Sequence, residues 1–227
     1  MPLPAIQPVS IAVLWLVAAL GGCGTTPATR SDTTQQVQTA EQTLANFHND
    51  PQMGWFRENL KDARAVVISP RVTRAGFVFG GSGGEALVLA RDASGRWIGP
   101  AFYNMGSGSV GFQIGVEVSE VIIVVMSDKA FDALLSPSFR LGADVSIAAG
   151  PVGVGKGASV RADMVSFARS KGVYAGLSLD GAVIRADGGA NEAFYGRPVS
   201  PVDILVRASV ANSAAAPLQQ SLRRLAK

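Results

Sequence analysis

Apolar residues recur along this chain with two different periods, and the change of period divides it. Val37, Ala40, Leu44 and Phe47 return every three to four residues, the spacing of one helix face, and predict a first helix from Gln35 to His48. Asn49-Asp50-Pro51 breaks it, with Asp50 placed to cap a second helix and Pro51 in that helix's first turn. Along the second helix, Gln52 to Ala63, the residues Met53, Phe56, Leu60 and Ala63 share one face. Arg57, Lys61 and Arg64 share another, at i, i+4 and i+7. From Ala65 to Asp187 the pattern changes to strands. Runs at Ala65–Ser69, Gly76–Phe79, Ala86–Arg91, Trp97–Asn104, Ser109–Glu117, Glu120–Ser127, Arg140–Ala148, Ser159–Phe167, Val173–Leu179 and Ala182–Ala186 are parted by glycines and polar turns. Phe112, Ile114, Val116 and Val118 alternate with small or polar residues, which predicts a strand with one buried face. Val121 to Met126 is apolar throughout and predicts one buried on both faces. Lys129 to Leu135 reads as a short helix, as do Asn191 to Tyr195 and Val202 to Val210. In the tail, Pro217 to Lys227, Leu218, Leu222 and Leu225 oppose Arg223, Arg224 and Lys227. The pattern predicts an α+β fold: a curved, mainly antiparallel β-sheet core with short helices at the N- and C-terminal ends.

The longest apolar run lies outside that domain. Ile11 to Leu20 is too short to span a bilayer, which takes about 20 residues, and fits the apolar stretch of a secretory signal. Leu20-Gly21-Gly22-Cys23 follows, resembling the lipobox of bacterial lipoproteins, although no Lys or Arg precedes the run. That resemblance implies cleavage before Cys23 and acylation of its thiol and new amino terminus. Two or three acyl chains anchor a protein stably where one would not. The expected organisation is a leader over 1–22, a flexible tether over 23–36, the domain over 37–212 and a basic amphipathic tail over 213–227. Gly24 stands where an Asp would favour retention in the inner membrane, so the expected location is the outer membrane.

Composition removes most chemistry. One Cys and one His among 227 residues exclude intramolecular disulfides, cysteine clusters and multi-histidine metal sites. A net charge of +3 is too small to point to nucleic acid. Three glycine motifs lead into strand patterns instead of the helices their chemistry needs. Gly106 to Gly111 matches a dinucleotide loop, Gly80 to Gly84 a nucleophile elbow, and Gly150 to Gly157 a phosphate loop without its Ser or Thr. Lys156 in the last remains able to meet an anionic group. Carboxylates are scattered, with Asp144 in an apolar run the one exception, read as facing solvent. No nucleophile–base pair and no metal set is visible, so the chain is read as a non-enzyme with no catalytic residue and no cofactor. Glycine is concentrated, 22 of 26 falling between Gly76 and Gly196, which predicts tight corners in a curved sheet.

Six motifs in order carry a family resemblance. They are Ala75-Gly76-Phe77-Val78-Phe79-Gly80-Gly81-Ser82-Gly83-Gly84 with Val88 to Arg91; Gly95-Arg96-Trp97 to Phe102; Gly111-Phe112-Gln113-Ile114-Gly115; Leu141 to Asp144 with Ala148 to Gly153; Ser170 to Gly181; and Ala190-Asn191 to Gly196. Over residues 40 to 212 the chain resembles the SYLF domain family of lipid-binding proteins. The resemblance implies lipid binding without catalysis. Eukaryotic relatives bind phosphoinositides and some link membranes to actin; neither ligand transfers to this chain on the motifs alone. The expected partner is anionic phospholipid, met through Arg57, Lys61, Arg64, Arg71, Arg74 and Lys156, each cation adding about 1 kcal/mol near an anionic surface. The alternative is an envelope interaction protein whose only lipid contact is the acylated Cys23. Replacing Cys23 by Ser should abolish acylation, read as the loss of acyl mass from the mature amino-terminal peptide; acyl mass that persists on the variant overturns the assignment.

Overall fold

The computed structural model describes residues 27–76, 79–110, 115–153, 160–170, 173–175 and 179–227. Four long antiparallel strands form its centre: β1 (Ala65–Gly76), β2 (Phe79–Arg91), β3 (Trp97–Val110) and β4 (Gly115–Val125), side by side in the order β3-β2-β1-β4. Beyond β3 lie β9 (Val183–Ala186) and then β5 (Ser138–Arg140). Beyond β4 lies β7 (Met164–Ser170), with β6 (Ile147–Ala149) parallel to it and β8 (Val173–Ala175) antiparallel to it. This is the expected α+β class: a curled, mainly antiparallel sheet with short helices in the N- and C-terminal regions.

Both faces of the sheet are covered over the first half of β1. One face carries Ala65, Val67, Val88, Ala101, Tyr103, Ile123 and Val125, packed under α3 (Asp128–Leu135) and α5 (Pro201–Leu205). The other carries Val66, Ile68, Leu87, Leu89, Phe102, Ile122 and Val124, packed under α1 (Arg30–Asn49), α2 (Gly54–Asn59), α4 (Gly188–Tyr195) and α6 (Ala216–Leu225). Two-sided burial is why Val121 to Val125 is apolar without alternation. A bulge between Ile68 and Arg71 lets Val72 rejoin the first face, and Gly84 opposite it has no room for a side chain, since a Cβ would meet the Arg71 carbonyl oxygen at 2.3 Å.

Local chemistry moves several boundaries. α1 begins at Arg30, inside the expected tether, because Thr29 and Asp32 form a capping box: Thr29 Oγ1 accepts from the Asp32 amide and the Asp32 carboxylate accepts from the Thr29 amide. The second helix is shorter than expected; α2 ends at Asn59 and tightens into a 3-10 turn, Leu60–Asp62. Asp50 does not cap it. Its carboxylate accepts from the Gln52 amide and shapes the preceding turn. The run Arg140–Ala148 is two short strands, not one, because Gly142 adopts a φ of +82° and the exposed Asp144 accepts from the Arg140 amide at 2.7 Å. α5 stops at Leu205, short of Val210. Residues 213–227 do not stand apart as a tail. Leu218 and Leu222 are buried in the α1 core, and Ser221 Oγ donates to Glu41 Oε1 at 2.8 Å.

Asn191 closes a gap that the strands leave. β9 pairs with β3 only from Tyr103 to Gly106; beyond it the Asp187 amide donates to the Phe102 carbonyl at 2.9 Å, but the Phe102 amide has no partner from the backbone on that side. The side chain of Asn191 supplies one. Its Oδ1 accepts from the Phe102 amide at 2.9 Å, and its Nδ2 donates to the carbonyls of Phe102 at 3.1 Å and Asp187 at 2.8 Å. Phe194, one turn on, packs its ring 5.1 Å from that of Phe102. Asn191→Ala should cost about 1–3 kcal/mol, because it strands the buried Phe102 amide. Urea denaturation checks this; a loss under about 0.5 kcal/mol would sink the assigned role.

Candidate functional site

The basic residues singled out by sequence fall into different places. Arg57 is half-buried, and its guanidinium donates to the carbonyls of His48 at 3.1 Å, Pro51 at 3.2 Å and Asp50, closing the C-terminal end of α1. Burial first, and then the nearby Arg57 charge, hold the His48 imidazole below its ordinary pKa. Arg64 donates through Nε to Asp128 at 2.6 Å and lies over the Phe131 ring at 5.2 Å, tying β1 to α3. Lys61 is exposed on the 3-10 turn. The helix face on which these three were expected therefore does not exist as one surface. Arg71 and Arg74 lie further along β1, the first of them roughly 20 Å beyond Arg64 at about 3.3 Å per residue. Cys23 and Lys156 lie outside the described residues.

A second, unexpected border organises the sheet. Gln36 Nε2 donates to Glu85 Oε2 at 2.7 Å on β2. Thr43 Oγ1 and Asn46 Nδ2 donate to Glu120 Oε1 at 3.0 and 3.1 Å on β4. These contacts hold α1 across β2, β1 and β4 at the level of Glu85 and Glu120. Arg169 on β7 also pairs with Glu120, at 3.0 Å. On the far side of α1 nothing among the described residues covers the same sheet face. Cross-strand pairing places Thr73 and Ala75 of β1, Gly81 and Gly83 of β2, Gly106 and Gly108 of β3, and Val116 and Val118 of β4 on that one face. Val116 is 72% exposed and Val118 43% exposed. Arg74 points to the opposite face with Ser82, Ser107 and Glu117, where the two serine hydroxyls bond at 2.7 Å.

Where the bare face meets α1 there is a cavity of about 370 Å³, lined by Asp32, Gln35, Gln36, Thr39, Pro70, Arg71, Glu85 and Leu87. Its carboxylates are engaged. Asp32 closes the Thr29 capping box, which holds its carboxyl below the usual pKa, and Glu85 accepts from Gln36. Arg71 stands opposite Glu85 in the register, yet among the described residues none bonds or pairs with its guanidinium. Arg71 is thus a guanidinium with no bonded partner among the described residues, sharing the cavity with the Asp32 and Glu85 carboxylates at one end of an apolar face. Sequence reasoning named Arg71 but missed its cavity. The available signal was the period-two glycine pattern Gly81-Ser82-Gly83 and Gly106-Ser107-Gly108, read as curvature. Gly80 to Gly84 and Gly106 to Val110 are strand residues, so neither is a loop leading into a helix.

Residues 106–225, just over half the chain, match the family Ysc84, described as "Las17-binding protein actin regulator". The chain belongs to the Ysc84 family. The SYLF resemblance of the motifs and this match concern one and the same domain family. The chain is 36% identical over 170 residues to the SH3 domain-containing protein PJ696.02 of Schizosaccharomyces pombe, covering 72% of this chain and 39% of that protein. It is 32% identical over 139 residues to the SH3 domain-containing YSC84-like protein 1 of Homo sapiens, covering 59% of this chain and 41% of that protein. Protein YSC84 of Saccharomyces cerevisiae is 32% identical over 144 residues, covering 60% of this chain and 31% of the yeast protein. The matched region thus spans about two fifths or less of each of these relatives.

Within this Ysc84 domain the cations divide by what they touch. Arg57→Ala removes a charged donor from three carbonyls and should lower stability by about 1.5–3 kcal/mol. Arg71→Ala should change stability by no more than about 0.5 kcal/mol. Thermal or urea unfolding of the two variants checks the division; equal losses would overturn it.

Proposed function

We propose that this protein is a lipid-anchored envelope protein, tethered through Cys23 at the outer membrane, whose Ysc84 domain binds anionic phospholipid head groups. The observation that carries this reading is Arg71: a cation with no partner among the described residues, in a polar cavity that opens onto bare apolar sheet. An anionic phosphate would satisfy that guanidinium by bidentate hydrogen bonding, with the Gln35 side-chain amide on the cavity wall as a further donor. Arg57 and Arg64 are engaged in internal contacts, so this reading gives them a structural part. Lys61 and Arg74, both away from the cavity, add long-range attraction, which decays over about 10 Å at 0.1 M salt. Lys156 remains part of the proposal as an additional cation.

The test is co-sedimentation of the domain without its acyl chains. It should bind phosphatidylglycerol-containing vesicles at low salt, bind phosphatidylcholine vesicles poorly, and lose at least about fivefold in affinity on Arg71→Glu, since a charge reversal at the surface is worth one to two cation increments. Equal binding to both vesicles, or none to either, overturns the reading.

A second reading is favoured by the description of the family, which names a protein, Las17, and actin regulation. On that reading the domain binds a protein partner and the lipid contact is confined to the acylated Cys23. Vesicle binding that vanishes with the acyl chains would favour it.

A further inference from the structure

The bare sheet face asks what covers it. Glycines inside strands weaken them and mark places where a ligand or another backbone comes close. At Gly84 the reason is internal, because the chain itself fills the space. It is not internal on the bare face. A Cβ on Gly81 would approach the Ser107 carbonyl oxygen no closer than 3.4 Å, and one on Gly106 the Ser82 carbonyl oxygen no closer than 3.5 Å. A Cβ on Gly83 would stay 3.7 Å from the Met105 carbonyl oxygen, and one on Gly108 would meet nothing within 4 Å. None of these four appears among the positive-φ glycines. Neither backbone conformation nor packing within the described residues calls for glycine there. The glycines leave a floor of bare backbone, with Val116 and Val118 standing along one side of it on β4.

This floor is continuous with the cavity. Arg71 and Thr73 are two residues apart on the same face of β1, and Glu85 and Gly83 are two apart on β2. From Arg71 to Ala75 the strand runs about 13 Å. One end of the track is therefore a guanidinium with no bonded partner among the described residues, in a pocket whose Asp32 and Glu85 carboxylates are held by the Thr29 amide and Gln36, and the rest is an uncharged strip of Thr, Ala, Gly and Val. That order of a cation and then apolar surface complements an amphiphile whose head is anionic and whose tail is a hydrocarbon chain.

We infer that the face is an acyl-chain track: one anionic phospholipid lies with its phosphate at Arg71 and one acyl chain along Thr73, Gly83, Gly81 and Ala75, against Val116 and Val118. The inference rests on the head-group reading above and adds that the domain takes a single lipid molecule, chain included, rather than touching head groups alone. Each methylene buried on the track adds up to about fourfold in affinity, so chain length becomes the readout.

The experiment uses monomeric lysophosphatidylglycerols below their micelle concentrations, followed by calorimetry on the domain. Affinity should rise at least about tenfold from the octanoyl to the dodecanoyl chain. The exchange Gly83→Leu with Gly108→Leu fills the track and should remove that dependence, while phosphatidylglycerol vesicle binding persists. Val116→Asp places a charge on a residue that is 72% exposed, so it should fold normally, and it should weaken dodecanoyl binding by the same order. Affinity independent of chain length, or unchanged in these variants, overturns the track while vesicle binding still supports the head-group reading. Chain dependence that survives Arg71→Glu undiminished overturns the placement of the phosphate and leaves the track standing. A wild-type dimer in sedimentation that Val116→Asp dissociates would show that a second copy covers the face, and would also overturn the inference.

Discussion

Everything on the open side of this sheet follows from where α1 crosses it. A helix about 10 Å wide laid across strands covers roughly three residues of each. The contacts of Gln36 with Glu85, and of Thr43 and Asn46 with Glu120, set that crossing near the middle of β1, β2 and β4. Toward one end, α2, α4 and α6 continue the cover and complete a core around Phe47, Phe56, Phe102 and Phe167. Toward the other end nothing among the described residues continues it. Strands of 11 to 14 residues are longer than the helices can roof, and the surplus is the bare face.

Electrostatics within the fold follow the same division. On the covered side, charges are used to join elements. Arg57 closes the end of α1, Arg64 ties β1 to Asp128, and Asp163, its carboxyl pulled down to about 2 by the hydroxyls of Ser127 and Ser146 and the Ser146 amide, joins α3 to the approach to β6. Each such group has a hydrogen-bond partner within the protein. On the border, Glu85 and Asp32 likewise have protein partners, whereas Arg71 has no bonded partner among the described residues. A surface that looks evenly charged in sequence is, in the fold, mostly occupied.

The family motifs take on specific meanings in this light. Asn191 in the segment Ala190 to Gly196 is a substitute strand partner for Phe102, and Tyr195 in the same segment donates to the Pro100 carbonyl at 2.8 Å. Gly150, in the run Ala148 to Gly153, lies where a Cβ would overlap the Phe167 ring at 2.1 Å. These residues maintain the fold. The glycines of the hairpin motif are different, since a Cβ on Gly81 or Gly83 would meet nothing closer than ordinary van der Waals contact. Membership in the Ysc84 family therefore fixes an architecture, and the uncovered portion is where function is to be sought.

Much of this was legible in the chain. Period two against period 3.6 separated strands from helices, the unbroken run Val121 to Val125 announced burial on both faces, and six ordered motifs indicated the family. These properties depend on residues near one another in sequence, through backbone geometry and side-chain spacing. The capping box at Thr29 was equally local, though it went unread, and it shifted the start of α1. The choice of partners was not local. Whether a given arginine is free depends on atoms such as Asp128, 64 positions from Arg64, and Phe131, which no periodicity reports. Likewise Gln36 meets Glu85 across 49 positions and Asn46 meets Glu120 across 74. Sequence by itself determined the class of fold, its family and which residues carry charge. Only the tertiary structure decided which cations stay unpaired and which part of the sheet stays bare among the described residues, because both depend on long-range packing that brings distant side chains together.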